Sequence, residues 1–171
     1  MAQDAFTNQT EQIDDPRTRL VIRPALAGDL PAVLGLLAED TVNPPVSEEL
    51  GPPLPAAYLD AFAAMSRDQD NRLMVAELSG RVAGTFQLTI IQGLMYRGAR
   101  TAQVEAVRVA ADLRGRGIGE AMMRWAIAES RCRGCLRLQL TSNKARGDAH
   151  RFYERLGFRR THEGMKLDLL T

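Results

Sequence analysis

The chain has 171 residues, of which 45% are hydrophobic and 5% aromatic, with a formal net charge of +1. Length and apolar content suit a single domain with an ordinary core, and no apolar run is long enough to span a bilayer. Balanced charge and few aromatics exclude both a global field that would recruit nucleic acid or an anionic membrane and a base-stacking surface.

Residues 1–16 are polar and mildly acidic, with neither the basic start nor the apolar core of a signal peptide. They read as a disordered tail, leaving 17–171 as one domain of a cytoplasmic protein. The sequon Asn8-Gln9-Thr10 has no secretory setting and reads as chance. Residues 19–23 (RLVIR) form a short first strand. A helix then starts at Gly28-Asp29-Leu30-Pro31, where Asp29 can cap and proline is tolerated, and Leu30, Val33, Leu34 and Leu37 share one face. Pro44, Pro45, Pro52, Pro53 and Pro55 break regular structure over 43–55. Glu48 and Glu49 in that loop either attract a cationic amine or stay solvated. A second helix carries Tyr58, Phe62 and Met65 on one face. Strands over 72–78 and 81–91 follow, joined at Ser79-Gly80 as a hairpin.

The chain is organised around residues 101–121. A strand of alternating character sets Val104, Ala106 and, at its end, Val109 against Glu105 and Arg108, and stops at Ala110-Ala111-Asp112. The turn Arg114-Gly115-Arg116-Gly117-Ile118-Gly119 comes next. Its glycines let backbone amides at a helix start converge on an oxyanion, with the helix dipole and both arginines adding positive charge. The natural guest is a phosphate or pyrophosphate. The glycine spacing fits neither a dinucleotide fingerprint nor a P-loop, so the remaining alternative is an ordinary surface turn. The helix from Gly117 buries Ile118, Ala121, Met122 and Trp125, and Leu136, Leu138 and Leu140 then alternate with Arg137, Gln139 and Thr141. Strand, crossover helix and strand imply a parallel pair in an otherwise antiparallel sheet, with ligands at the strands' carboxyl ends.

Cys132-Arg133-Gly134-Cys135 closes a helix and precedes a strand, the reverse of a thioredoxin-type pair, and His150 and His162 lack finger spacing. No metal is expected. The last helix carries Ala149, Phe152, Tyr153 and Leu156 on one face, with Gly157 as its cap and Phe158 re-entering the core. By periodicity alone Tyr153 reads as a core residue and Asn143 as a helix cap.

Arg114-x-x-Gly117-x-Gly119 after Val107-Arg108-Val109, with Asn143 and the run Ala149-His150-Arg151-Phe152-Tyr153-Glu154-Arg155-Leu156-Gly157-Phe158 downstream, resembles the GNAT N-acetyltransferases. The segment from Thr141 to Tyr153, with Asn143, Lys144, Arg146 and Asp148, is similar to bacterial aminoalkylphosphonate acetyltransferases, over the last third of the chain. The resemblance implies a mixed α/β (α+β) fold: a mostly antiparallel sheet whose parallel pair splays around the cofactor, a bulge in the central strand, and helices on both faces. It implies acetyl-CoA as co-substrate, with its pyrophosphate on the amides of Gly115, Arg116, Gly117, Ile118 and Gly119 beside Arg114. The pantetheine arm would lie along Val107, Arg108 and Val109, with Asn143 hydrogen-bonded to it. Tyr153 becomes the proton donor to the departing thiolate and Glu105 the base. Ala106 stands where some relatives carry a second acid.

The resemblance therefore implies direct acetyl transfer to a primary amine of a small molecule, in a family that often forms homodimers. Two alternatives stay open, an acetyl-CoA-binding sensor without turnover and a protein or peptide N-acetyltransferase.

Overall fold

A computed structural model describes residues 20–39, 53–167 and 169. The expected tail, Arg19 and most of the proline-rich loop, with Glu48 and Glu49, lie outside the described residues.

The five strands β1 (Leu20–Pro24), β2 (Asn71–Leu78), β3 (Arg81–Gln92), β4 (Arg100–Val109) and β5 (Cys135–Leu140) form one sheet in that order. Neighbours from β1 to β4 are antiparallel, while β4 and β5 are parallel. Local chemistry explains the hairpin between β2 and β3. Ser79 and Gly80 both take positive φ, 51° and 84°, the pair of left-handed residues whose twist matches that of paired strands.

Helices cover both faces, and a single short turn, α3 (Met95–Gly98), links β3 to β4. α4 (Ile118–Cys132) crosses from β4 to β5 and sets Trp125 edge-on against Phe86, at 5.9 Å between ring centroids. Phe86, Leu88 and Ile90 of β3, with Met74 and Ala76 of β2 and Ala102 and Val104 of β4, make the buried cluster on that face. Val75 and Thr85 are fully buried on the other face, and α1 (Leu30–Ala38) packs against β3 and β4. Within α1 the buried set is Leu30, Val33, Leu34 and Leu36. Leu37 is only half-buried, because the end of the helix turns Leu36 into the cluster that holds Leu20 and Ile22. α2 (Ala56–Arg67) rests on β2 through half-buried Tyr58, Phe62 and Met65, so its stripe is as the spacing suggests but shallow.

Asp29 caps, though not the helix the sequence assigns to it. Its Oδ2 accepts the Leu26 N–H at 2.7 Å, closing the turn before α1, and both oxygens accept from Arg23, at 2.7 and 3.0 Å. Arg23 also donates to Glu77 at 2.8 Å, which ties β1 and β2 to the entry of α1. The Arg23 guanidinium holds the Asp29 carboxyl below the usual carboxylate range. Its contribution is therefore complete above the unfolded pKa of about 4 and fades as pH falls through the lower folded value. Asp29→Ala is expected to cost about 1–2 kcal/mol at neutral pH, with the difference from the parent shrinking in acid. Urea melts at two pH values measure both parts.

β5 departs from a regular alternation. Consecutive residues Arg100 and Thr101 of β4 pair with Cys135 and Arg137, so Leu136 is an extra residue pushed out of the ladder. Cys135 packs against the core instead, and Leu136 is exposed.

Candidate active site

The site begins with an irregularity in β4. Thr85 pairs with Arg108 and Gln87 with Glu105, so Ala106 and Val107 together face Phe86. Ala106 takes φ 52°, a left-handed conformation that costs a residue with a Cβ about 1–2 kcal/mol. The bulge reverses the strand's sidedness: Ala102 and Val104 point into the core before it, Val107 and Val109 after it. Ala106 therefore does not continue the inward row from Val104, a correction to simple alternation.

Pairing between β4 and β5 ends at Val104 opposite Leu140, while β4 runs on to Val109. The two parallel strands part there, leaving the side of 105–109 that faced β5 without a ladder partner from β5. Three elements meet at this opening. A Cβ on Gly119, in the first turn of α4, would stand 3.6 Å from Val109 Cγ2 and 3.6 Å from Phe152 Cζ of α5 (Gly147–Arg155).

The three glycines of the turn have different jobs. Gly115 and Gly117 have φ 77° and 80° with open space where a Cβ would go, so the backbone conformation itself requires glycine. Gly119 has no such φ, and a Cβ there would only touch Val109 and Phe152 at ordinary contact distance. The first helical hydrogen bond is Ala121 N–H to Gly117 O, 2.9 Å, so the amides of Ile118, Gly119 and Glu120 precede the ladder and face the helix's positive end. Arg114 braces the turn: Nε donates to Val109 O at 3.1 Å and Nη2 reaches Glu39 at 3.4 Å. Arg116 is exposed. An acyl-CoA pyrophosphate fits this donor set of helix-start amides and an exposed guanidinium.

Tyr153 is held in α5 between Phe152 and Phe158, with ring centroids 5.1 and 5.8 Å away. The C-terminal cap fixes that arrangement, since Phe158 N–H donates to Tyr153 O at 3.1 Å across left-handed Gly157. Burial pushes the phenol pKa up, and the charges of Arg108 and Arg146 pull against that shift. Tyr153 thus stays protonated at neutral pH. Asn143 lies just past β5, where its Oδ1 accepts the Ala145 N–H at 2.9 Å. It caps a turn there, while Arg146 occupies the cap position of α5. Glu105 is exposed on β4 just before the bulge, opposite Gln87.

The structure thus brings together the glycine turn, Val109 and α5, and sets Arg108 in electrostatic reach of Tyr153. Sequence reasoning gave Arg146 no role, although it shares that reach. It also passed over Gly84, where a Cβ would meet Met122 Sδ at 2.7 Å and Arg108 O at 2.9 Å. A glycine inside a strand pattern was the available signal for such an approach.

Elsewhere, Cys132 and Cys135 are free thiols, and burial pushes the Cys135 thiol up, away from reactivity. Among the described residues no three His, Cys, Asp or Glu side chains gather to hold a metal, and no helix is long and apolar enough to cross a membrane.

A bulged central strand, a parallel neighbour that parts from it, and a glycine turn opening a helix at the parting define an acetyltransferase scaffold. The chain belongs to the GNAT family: residues 37–158 match the family model described as "Acetyltransferase (GNAT) family". It is 32% identical over 106 residues to an aminoalkylphosphonate N-acetyltransferase of Salmonella typhimurium, covering 62% of this chain and 68% of that one. It is 34% identical over 153 residues to a glucosamine 6-phosphate N-acetyltransferase of Trypanosoma brucei brucei, covering 88% of this chain and 96% of the relative. Among solved structures, a transcriptional regulator from Bacillus halodurans superposes with a TM-score of 0.82 at 39% identity, over 88% of this chain and 99% of its own.

Proposed function

We propose that this protein transfers the acetyl group of acetyl-CoA directly to a primary amine of a small molecule, within a single domain spanning 17–171 of a cytoplasmic protein. The observation that carries this reading is a half-buried phenol, Tyr153, whose pKa burial raises so that it keeps its proton, beside the parting of β4 and β5 and close to the glycine turn through Phe152. The amine lone pair attacks the acetyl carbon, a backbone N–H near Val107 polarises the carbonyl oxygen, and the carbon–sulfur bond breaks. Tyr153 gives its proton to the sulfur, while Glu105, directly or through water, takes one from the amine nitrogen. Val107, Arg108, Val109 and Asn143 hold the pantetheine arm. Arg116 and the amides of residues 115–119 hold the pyrophosphate, with Arg114 keeping the turn in shape.

The acceptors to try first are amines that also carry a phosphonate or phosphate. Two relatives are named for such acceptors, and Arg108 and Arg146 supply positive charge around Tyr153. Thiol release from acetyl-CoA, measured against separate pools of aminophosphonates, amino-sugar phosphates, polyamines and amino acids, tests the proposal. Release with one pool alone establishes the transferase and its acceptor class. Tight acetyl-CoA binding without release in any pool would instead favour a regulator that senses acetyl-CoA, the reading to which the relative named as a transcriptional regulator lends support.

Gly119→Ala separates ligand approach from folding. The methyl group meets only ordinary contacts at 3.6 Å, so the melting temperature should hold. Acetyl-CoA affinity should fall by roughly tenfold or more if the methyl, wedged between Val109 and Phe152, shifts the glycine turn against the end of β4. Calorimetric titration beside a thermal melt reads the two effects.

A further inference from the structure

The sheet face that buries Val75 and Thr85 turns polar further along the strands. Side chains alternate along a strand, so Asn71 of β2, Gln87 and Thr89 of β3, Gln103 and Glu105 of β4 and Gln139 of β5 share that face, opposite the row of Phe86, Leu88, Ala102 and Val104. The ladders set them side by side: Asn71 opposite Thr89, Gln87 opposite Glu105, and Gln103 between Thr89 and Gln139. None is fully buried. Asparagine is among the residues depleted in strands, so strand formation does not account for Asn71 in this row.

Hydrogen bonds within the row fix which way its amides face. Asn71 Oδ1 accepts from Gln87 Nε2 at 2.8 Å and from Thr89 Oγ1 at 3.2 Å, so among the described residues the Asn71 amide nitrogen and Gln87 Oε1 remain for another partner. Gln139 Nε2 donates to Gln103 Oε1 at 2.9 Å, which leaves Gln103 Nε2 as a donor and Gln139 Oε1 as an acceptor in the same way. The row therefore offers donors and acceptors in alternation beside the Glu105 carboxylate. A hydroxyl both donates and accepts, so a run of hydroxyls matches such a surface. A plain alkyl chain laid over it would strip water from these groups and return no hydrogen bond.

We propose that this row is the floor on which the acceptor lies, and that it selects a polyhydroxylated amine, an amino sugar, over an amine on a plain alkyl chain. The inference rests on the reading of Glu105 as the group that meets the amine. Gln87 stands directly across the ladder from Glu105, so a sugar ring whose amine reaches that carboxylate sets its hydroxyls over Gln87 and Gln103. The amides determine specificity and take no part in proton transfer.

Glucosamine 6-phosphate and 2-aminoethylphosphonate both carry an amine and a phosphorus oxyanion but differ in their hydroxyls, so comparing them isolates the floor. Calorimetric titration of the protein saturated with coenzyme A reads acceptor binding without requiring transfer. The parent should bind glucosamine 6-phosphate roughly tenfold or more tighter than 2-aminoethylphosphonate, and Gln87→Leu and Gln103→Leu should each cut that preference by about five- to tenfold. Neither side chain is fully buried, and Asn71 keeps its bond from Thr89 when Gln87 is replaced, so circular dichroism and melting should match the parent. A parent that binds the two alike, or binds neither, overturns the proposal, as does a preference that both variants keep. Preferred binding of the amino sugar with no thiol release from acetyl-CoA would leave the floor standing and overturn the assigned reaction instead.

Discussion

Replacing Tyr153 with phenylalanine is expected to lower turnover by roughly a hundred- to ten-thousand-fold while acetyl-CoA affinity stays near that of the parent. The reason lies in what the substitution keeps. Contacts with Phe152 and Phe158, at 5.1 and 5.8 Å between centroids, involve the ring and survive. Only the hydroxyl, with the proton it would donate, is lost. Burial raises the phenol pKa, so the parent enzyme should hold that proton throughout neutral pH and lose activity only above the ordinary phenol range near 10. Stability follows the same sign: the group contributes fully below about 10, and its contribution fades as pH rises through the folded value. The variant should lack the alkaline limb altogether. A pH profile of kcat beside a binding titration distinguishes proton donation from packing, and a variant with full turnover would show that water protonates the sulfur.

Much of this arrangement is readable in the chain, and the unreadable parts share a cause. The hairpin at Ser79-Gly80, the row Phe86, Leu88 and Ile90, and the stripe Ile118, Ala121 and Met122 are local patterns whose spacing follows backbone geometry. The parting of β4 and β5 follows from resemblance, and the pairing ending at Val104 agrees with it. Ala106 and Leu136 defeat alternation because a bulge is decided by how two strands register, which neither strand's sequence records. Asp29 reverses its capping direction because Arg23, a partner from β1, competes for the carboxylate. The three glycines of the turn are equivalent in sequence, yet only Gly115 and Gly117 need their conformation. Each miss is a case in which a distant partner outweighs the local signal.

Gly84 is where that dependence should cost most. In Gly84→Ala the new methyl stands 2.7 Å from Met122 Sδ and 2.9 Å from Arg108 O. The methionine tip can swing aside, but the Arg108 carbonyl is backbone and can retreat only by moving β4. Overpacking of this kind costs about 1–3 kcal/mol, which in a chain of this length lowers the melting temperature by roughly 2–10 °C. The strand that must move is the one just past the bulge, adjoining Val107, whose N–H is assigned to the acetyl oxygen. Turnover measured well below the melting transition should therefore fall more than the small unfolded fraction explains, with acetyl-CoA binding less affected because the glycine turn lies beyond the strand's end. A variant that melts early yet turns over normally would mean that the bulge absorbs the displacement and that the donor does not depend on the position of Arg108.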